Sequence, residues 1–280
     1  MATPTDPHHP SVAQPMLAEA IGVFDSGVGG LSVLRAIREL LPAENLIYVA
    51  DSGHAPYGDK SDDYITQRTL AVGTWLAQTG AKALTVACNT ATVVAVQSLR
   101  AQTHLPVVAI EPAIKPAVSL TRSGVVGVLA TQSTVQSASV ARLCAQHGRD
   151  ARILLKACPG WVEQVEQADL HSAQTQALLR RDIEPLLAEG ADTLVLGCTH
   201  YPFLRDSVAA IAGPDVTLID PAQAVARELV RRLGPHVRTS SNEQDLQRGE
   251  VQFLTSGDVT QVSAVISHLW GQAVAVAPLP

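Results

Sequence analysis

The sequence predicts an α/β protein of two similar domains, each a mainly parallel sheet covered by helices, with an active site in the cleft between them. Three observations predict this. Short apolar, β-branched runs alternate with helical patterns along the chain, an order that gives parallel sheets flanked by helices. The alternation closes once near Pro112 and restarts near Val125. Two cysteines, Cys88 and Cys198, hold matching places in the two sets, each behind an apolar run and ahead of small hydroxyl residues.

In the first set Ala20–Phe24 reads as a strand, followed by a helix over Leu31–Leu41 that stops before Pro42. Leu46–Ala50 is a strand, and Asp62–Gln78 a helix ending near Gly80. Ala83–Ala87 is a strand, Ala91–Thr103 a helix, and Val107–Ile110 a strand leading to Pro112. In the second set Val125–Ala130 and Ala151–Ala157 are strands, with helices over Ser133–His147 and Ser172–Leu187. Thr193–Leu196 is a strand with a helix from about Phe203, and Val216–Ile219 a strand that ends at Asp220-Pro221. A helix (Ala222–Leu233), a strand (Val251–Thr255) and a helix (Val259–Trp270) close the chain. The second cycle is complete at Asp220, and chain termini often lie close together, so these last elements are expected to return to the first domain. The expected division is a disordered tail over 1–16, a first domain of 17–112 plus 221–280, and a second of 113–220.

Bulk composition narrows the function. The chain has 280 residues, 46% hydrophobic and 16% charged, with a net charge of −6. That length supports one large unit or two ordinary domains. No basic run or aromatic-basic interleaving points to a nucleic acid. Four scattered cysteines (88, 144, 158, 198) make no disulfide framework and point to a reducing, cytoplasmic setting. Residues 1–16 are rich in proline and lack the basic and apolar regions of a signal peptide. No apolar run approaches the roughly 20 residues that span a membrane, so no membrane partner is expected.

The strand ends carry the chemistry. Asp25-Ser26-Gly27-Val28-Gly29-Gly30 follows the first strand. Its glycines allow a tight turn and let backbone N–H groups approach an anion. The spacing departs from the dinucleotide fingerprint. A plain turn capped by Asp25 or Ser26 is the alternative to a substrate-binding turn with Asp25 near the reacting atoms. Asp51-Ser52-Gly53 repeats the pattern after the second strand and runs on to Pro56-Tyr57-Gly58, so both turns are expected to line one pocket.

Each of the two matched thiols should sit where a strand ends and a helix begins, a place that favours thiolate. Two such thiols facing one substrate suit moving a proton off one face of a carbon and onto the other. His200, two residues past Cys198, could activate a thiolate, cap a helix or, with Cys198, bind zinc, although no second close ligand pair supports a metal. Cys144 reads as core and Cys158, before Pro159, as structural. Glu166 reads by default as a solvated helix charge.

Taken together, IGVFDSGVGGLSVL, YVADSGHAPYG, ACNTAT, VGVLATQSTVQS and LGCTHYPFL resemble the aspartate/glutamate racemase family, and within it the members acting on glutamate. The likeness runs from about residue 21 to residue 258, where FLTSGD resembles the family's closing strand. It implies that Cys88 and Cys198 are two catalytic bases. It implies that Asp25, Ser26, Tyr57, Gly58, Asn89, Thr90, Thr199 and His200 hold glutamate, and that Asp25, Glu166 and His200 assist proton transfer. Ser133 stands where the family pattern has glycine, so Thr131 and Thr134 are not assigned to substrate.

The expected activity is cofactor-independent interconversion of L- and D-glutamate, with Cys88 acting on D-glutamate and Cys198 on L-glutamate. By the same resemblance it supplies D-glutamate for peptidoglycan, the bacterial cell wall. No motif lysine suggests pyridoxal, and no metal is expected. Because no arginine lies in the motifs, both carboxylates would be held by neutral donors such as Ser26, Asn89, Thr90 and Thr199. The alternatives are a related isomerase acting on another acid such as aspartate, or a non-catalytic two-domain binding protein. The sequence leaves a homodimer open.

Overall fold

The computed structural model describes residues 16–238 and 248–280, so the expected tail, but for Met16, lies outside the described residues. In chain order the elements are β1 (Ile21–Asp25), α1 (Leu31–Leu40), β2 (Leu46–Ala50), α2 (Asp62–Gln78), β3 (Ala83–Val86), α3 (Asn89–Gln102) and β4 (Val107–Ala109). Then follow α4 (Ile114–Leu120), β5 (Val125–Ala130), α5 (Gln132–Gln136), α6 (Ala138–His147), β6 (Arg152–Ala157), α7 (Trp161–Glu166), α8 (Ala173–Ala188) and β7 (Thr193–Leu196). The last are α9 (Arg205–Ala212), β8 (Thr217–Ile219), α10 (Ala222–Leu233), β9 (Val251–Thr255), α11 (Val259–Trp270) and β10 (Val276–Pro278).

The strands form two parallel sheets flanked by helices. The larger has the order β10-β9-β2-β1-β3-β4 and the smaller β6-β5-β7-β8. The order 2-1-3-4 in the first recurs as 6-5-7-8 in the second. In each sheet the first strand of the set therefore has its successor on one side and the third strand on the other. Between those neighbours, β1 and β3 or β5 and β7, the helices leave in opposite directions and open a crevice at the carboxyl ends. The register holds Phe24 beside Val86 and Leu129 beside Leu196, which levels the strand ends on either side of each crevice. The C-terminal strand β9 pairs with β2, and β10 with β9.

Both sheets read as continuous apolar runs because helices cover both faces. β1, β2, β3 and β7 are buried throughout. One cluster of buried apolar side chains is continuous across the two sheets, joining Leu31, Leu34 and Tyr48 to Leu129, Trp161 and Tyr201. Trp161, which opens α7, is fully buried, packs against Tyr201 with centroids 4.7 Å apart, and donates its indole N–H to the Asp182 carboxylate at 3.0 Å.

The predicted helix over Ser133–His147 is two helices. Ser137 is extended (φ −69°, ψ 142°) and its hydroxyl accepts the Val140 N–H at 3.1 Å, so a serine cap restarts the helix. The stretch expected to become helical near Phe203 begins as a tight 3-10 turn, Tyr201–Leu204, before α9. Helix α4 and strand β10 were not predicted. α4 carries Pro116 in its first turn, where a missing N–H is harmless. β10 is three residues on a sheet edge, ending in proline. Cys144 is half-buried rather than core.

Trp161 anchors the helix that carries Glu166. Trp161→Ala should lower unfolding free energy by about 3–5 kcal/mol through the cavity it leaves, measured as a shift of the urea midpoint without a change in slope.

Candidate active site

The chemistry-bearing residues come from the two crevices. Asp25 ends β1 and Cys88 follows β3, at the crevice of the larger sheet. Thr131 follows β5 and Cys198 follows β7, at that of the smaller. Asp25, Ser26, Cys88, Asn89, Thr90, Cys198, Thr199 and His200 are all buried. Hydrogen bonds cross between the two sets: Thr199 Oγ1 donates to Asp25 Oδ1 at 3.2 Å, and Ser32 Oγ donates to the Thr199 carbonyl at 3.0 Å. The Thr90 and Thr131 hydroxyls meet at 3.0 Å.

The surroundings of the two sulfurs differ. Cys88 is the N-cap of α3, its sulfur accepting the Ala91 N–H at 3.4 Å while the thiol donates to Ser26 Oγ at 3.5 Å. Burial, followed by the charge of Asp25, pushes the Cys88 thiol well up, against the pull of Ser26 and the Ala91 N–H. Desolvation thus outweighs the helix terminus expected to favour thiolate. Cys198 has no such helix behind it. Its sulfur instead lies 3.7 Å from His200 Nδ1.

His200 is held from both sides. Its Nε2 lies 2.6 Å from Glu166 Oε1. Burial alone would lower the imidazole, but the hydrogen bonds to Cys198 and Glu166 overcome it, and the ring is held well above its ordinary value as a cation. Asp25 is pushed up by burial, opposed by the His200 cation and by the N–H groups of Gly30 and Gly27 on its Oδ2. The cap expected of Asp25 is present. The carboxylate caps its own turn with one oxygen and faces the second sheet with the other.

Glu166 is not a solvated helix charge. Its side chain is 19% exposed, and Oε1 accepts the Val28 N–H at 2.7 Å in addition to contacting His200. The glycines of the first turn are explained by this approach. A Cβ at Gly27 would run into the Glu166 carboxylate, and one at Gly29 into the His200 ring. Their role here is clearance for side chains of the other sheet.

Asn89 is 1% exposed, and neither atom of its side-chain amide has a hydrogen-bond partner. The buried amide thus keeps a donor and an acceptor that no protein group uses. Tyr57 and Gly58 lie further along the cleft. The Tyr57 hydroxyl donates to Asp51 at 2.5 Å, so only the backbone of this turn is free to face a ligand. The second Asp-Ser-Gly turn thus parts from the first: Ser52 reaches Glu166 Oε2 at 3.5 Å, while the Asp51 carboxylate is taken up by Tyr57 and Arg68. A cavity of about 300 Å³ adjoins Glu166, lined also by Val28, Ser52, Pro56, Val162 and Val262. A smaller one of about 50 Å³ is lined by Gly58, Thr131, Cys158 and Gly160.

The sequence reading missed two contributors. Tyr48 donates to the Gly27 carbonyl at 2.7 Å and steadies the first turn, and Ser32 ties that turn to Thr199. Thr131 and Thr134, 2.9 Å apart, form a hydroxyl chain with Thr90. The sequence reading had left both threonines unassigned because Ser133 departs from the family pattern. Among the described residues no group of three or more His, Cys, Asp or Glu is arranged to hold a metal, and no helix is long and apolar enough to cross a membrane.

Two like parallel sheets, each with a buried cysteine after its third strand, define a class, and the comparisons agree: the chain belongs to the Asp/Glu/Hydantoin racemase family, whose model matches residues 21–229. Among its relatives, the glutamate racemase of Methylococcus capsulatus is 52% identical over 93% of this chain and 95% of that one. The glutamate racemase of Ectopseudomonas mendocina is 50% identical over 91% and 96%. Among solved structures, glutamate racemase isoform RacE1 from Bacillus anthracis superposes with a TM-score of 0.83 at 32% identity, covering 94% and 97% of the two chains. The Escherichia coli glutamate racemase in complex with L-glutamate and the activator UDP-MurNAc-ala gives 0.80 at 32%, covering 94% and 98%.

The raised His200 has a consequence for stability. A group whose folded pKa exceeds its unfolded value of 6.5 stabilises the fold fully below that value and loses the contribution as pH rises through the folded one. The gap in urea midpoint between the wild type and His200→Gln should therefore be wider at about pH 6 than at about pH 9.

Proposed function

We propose that the cleft racemises glutamate by two-base proton transfer, with Cys88 and Cys198 as the bases on opposite faces of Cα. The chain interconverts L- and D-glutamate, as the relatives that match it along most of its length are named for doing. The observation that carries the two-base mechanism is the pair of buried cysteines at equivalent strand ends of two sheets with the same strand order. An α-proton beside an ammonium and a carboxylate is very weakly acidic. Removing it needs a placed base, exclusion of water, and donors aimed at the enolate that forms. Ser26, Asn89, Thr90 and Thr199 supply neutral donors for the carboxylates, and the amide of Asn89 has no protein partner to give up.

In the L-to-D direction Cys198, beside the His200 imidazolium, takes the proton. Cys88, held as a thiol by burial and by Asp25, returns one to the opposite face. The reverse direction exchanges the roles. Asp25 assists at Cys88 and His200 at Cys198, while Glu166 fixes the imidazole from its far side. Support for this division is His200 Nδ1 at 3.7 Å from the Cys198 sulfur and Asp25 as the charge that, after burial, most raises the Cys88 thiol.

We divide the chain into one domain of 17–112 plus 221–280 and a second of 113–220, a reading supported by the grouping of the strands into two sheets. We place the reaction in the cytoplasm, where four free cysteines stay reduced, and its product in the building of peptidoglycan.

The test is purified protein with L-glutamate in heavy water and no added cofactor. Loss of optical rotation with deuterium entering Cα is expected. Retained rotation, or activity confined to aspartate, would remove this reading. Cys88→Ala and Cys198→Ala should each slow racemisation by at least about a thousand-fold, while Cys144→Ala should not. In a β-chloroalanine elimination assay, which needs abstraction alone, Cys198→Ser should fail mainly on the L enantiomer and Cys88→Ser mainly on the D.

A further inference from the structure

Asp51 is a buried carboxylate that the proton-transfer scheme does not use. It accepts hydrogen bonds from three separate stretches of chain. The Tyr57 hydroxyl reaches Oδ2 at 2.5 Å. Arg68 of α2 grips both oxygens, Nε on Oδ2 at 3.0 Å and Nη2 on Oδ1 at 2.7 Å. The Ser256 hydroxyl reaches Oδ1 at 2.7 Å and itself accepts the Gly53 N–H at 3.1 Å. Ser256 follows β9, whose pairing with β2 sets Thr255 beside Ala50 and so brings the C-terminal segment to the Asp51 turn. A buried carboxylate bound by a guanidinium fork and two hydroxyls is fixed in place. Burial and the Asp51 charge push the Tyr57 phenol far up, so it remains a donor.

What Asp51 fixes faces the cleft. Tyr57 opens a 3-10 turn, Tyr57–Asp59, and the first N–H groups of such a turn have no partner inside it. Gly58 stands against the second sheet: a Cβ there would lie 3.1 Å from Thr131 Cβ.

We propose that Asp51 and Ser256 are positioning residues for the substrate, holding the Tyr57 hydroxyl so that the Tyr57-Gly58 backbone N–H groups meet one of its carboxylates. The proposal rests on the racemase reading above. It assigns the C-terminal return of the chain a part in substrate binding, through a serine that touches no substrate. Because the turn binds a carboxylate present in both enantiomers before and after proton transfer, its loss weakens ground state and transition state alike.

Kinetics with both enantiomers test it, using Tyr57→Phe, Ser256→Ala, Ser256→Thr and Asp51→Asn in the full chain, with thermal midpoints measured in parallel. Each lost hydrogen bond should raise KM about three- to ten-fold for L- and D-glutamate together, with kcat changed less than about three-fold. Ser256→Thr, which keeps the hydroxyl, should restore the wild-type KM. Asp51→Asn should show the largest rise; if it does not fold, Tyr57→Phe and Ser256→Ala decide. A fall in thermal midpoint with KM unmoved would overturn the proposal by showing a purely structural cluster. A fall in kcat at constant KM would overturn it by placing the cluster in the chemical step. A wild-type chain that leaves glutamate unchanged would instead overturn the racemase reading, whereas a racemising wild type with unmoved variants overturns the positioning alone.

Discussion

Three ionisable groups, Asp25, Glu166 and His200, are gathered where two sulfurs must be kept from water, and the rest of the site is arranged to make that tolerable. Charge withdrawn from water is costly unless it is paired and hydrogen-bonded. His200 meets that condition by standing between a carboxylate and a sulfur. Glu166 meets it with His200 and the Val28 N–H, and Asp25 with two N–H groups of its own turn and the Thr199 hydroxyl. The pairing crosses from one sheet to the other, so these buried charges also tie the two sheets together at the cleft. Small residues follow from the same requirement. Gly27 and Gly29 are bare because a carboxylate and an imidazole of the opposite sheet occupy the space beside them.

The fold supplies this arrangement twice. In each sheet the crevice lies between the first and third strands of a set, and a cysteine follows the third. The equivalence stops at the sulfur. After β3 a full helix begins at once, and Cys88 caps it. After β7 a proline-bearing tight turn intervenes, which frees His200 to swing beside Cys198 instead of entering a helix. One half thus offers a hydroxyl and a backbone N–H to its sulfur, and the other offers a cation.

Most strands and the long helices were legible because apolar runs and caps are local signals. Leu46–Ala50, Val125–Ala130 and Asp62–Gln78 have the bounds that the pattern gives. Cys88 and Cys198 were legible for a related reason: position at a strand end is written beside the residue. Glu166 was not. Its partners, Val28 and His200, are distant in sequence, and nothing in Trp161–Gln167 tells a charge facing solvent from one facing a cleft. The resemblance to a family flagged it where composition could not. The split at Ser137 and the short edge strand β10 were missed because one hydroxyl, or one neighbouring strand, decides them against the pattern of the whole segment. At Cys88 the helix terminus is visible in sequence and the depth of burial is not, so the pull toward thiolate was legible and the desolvation that opposes it was not.

The unequal surroundings of the two sulfurs meet a limit set outside the protein. L- and D-glutamate are mirror images and have the same free energy in water, so their equilibrium ratio is one whatever the enzyme does. The quotients kcat/KM in the two directions must then be equal. A cation beside Cys198 and a hydroxyl beside Cys88 can make one enantiomer bind more tightly and turn over more slowly than the other, but the two effects must cancel. The asymmetry of the cleft therefore tunes how the enzyme divides its time between the two bound forms, and with it which enantiomer saturates the site first. It cannot set the direction in which glutamate flows.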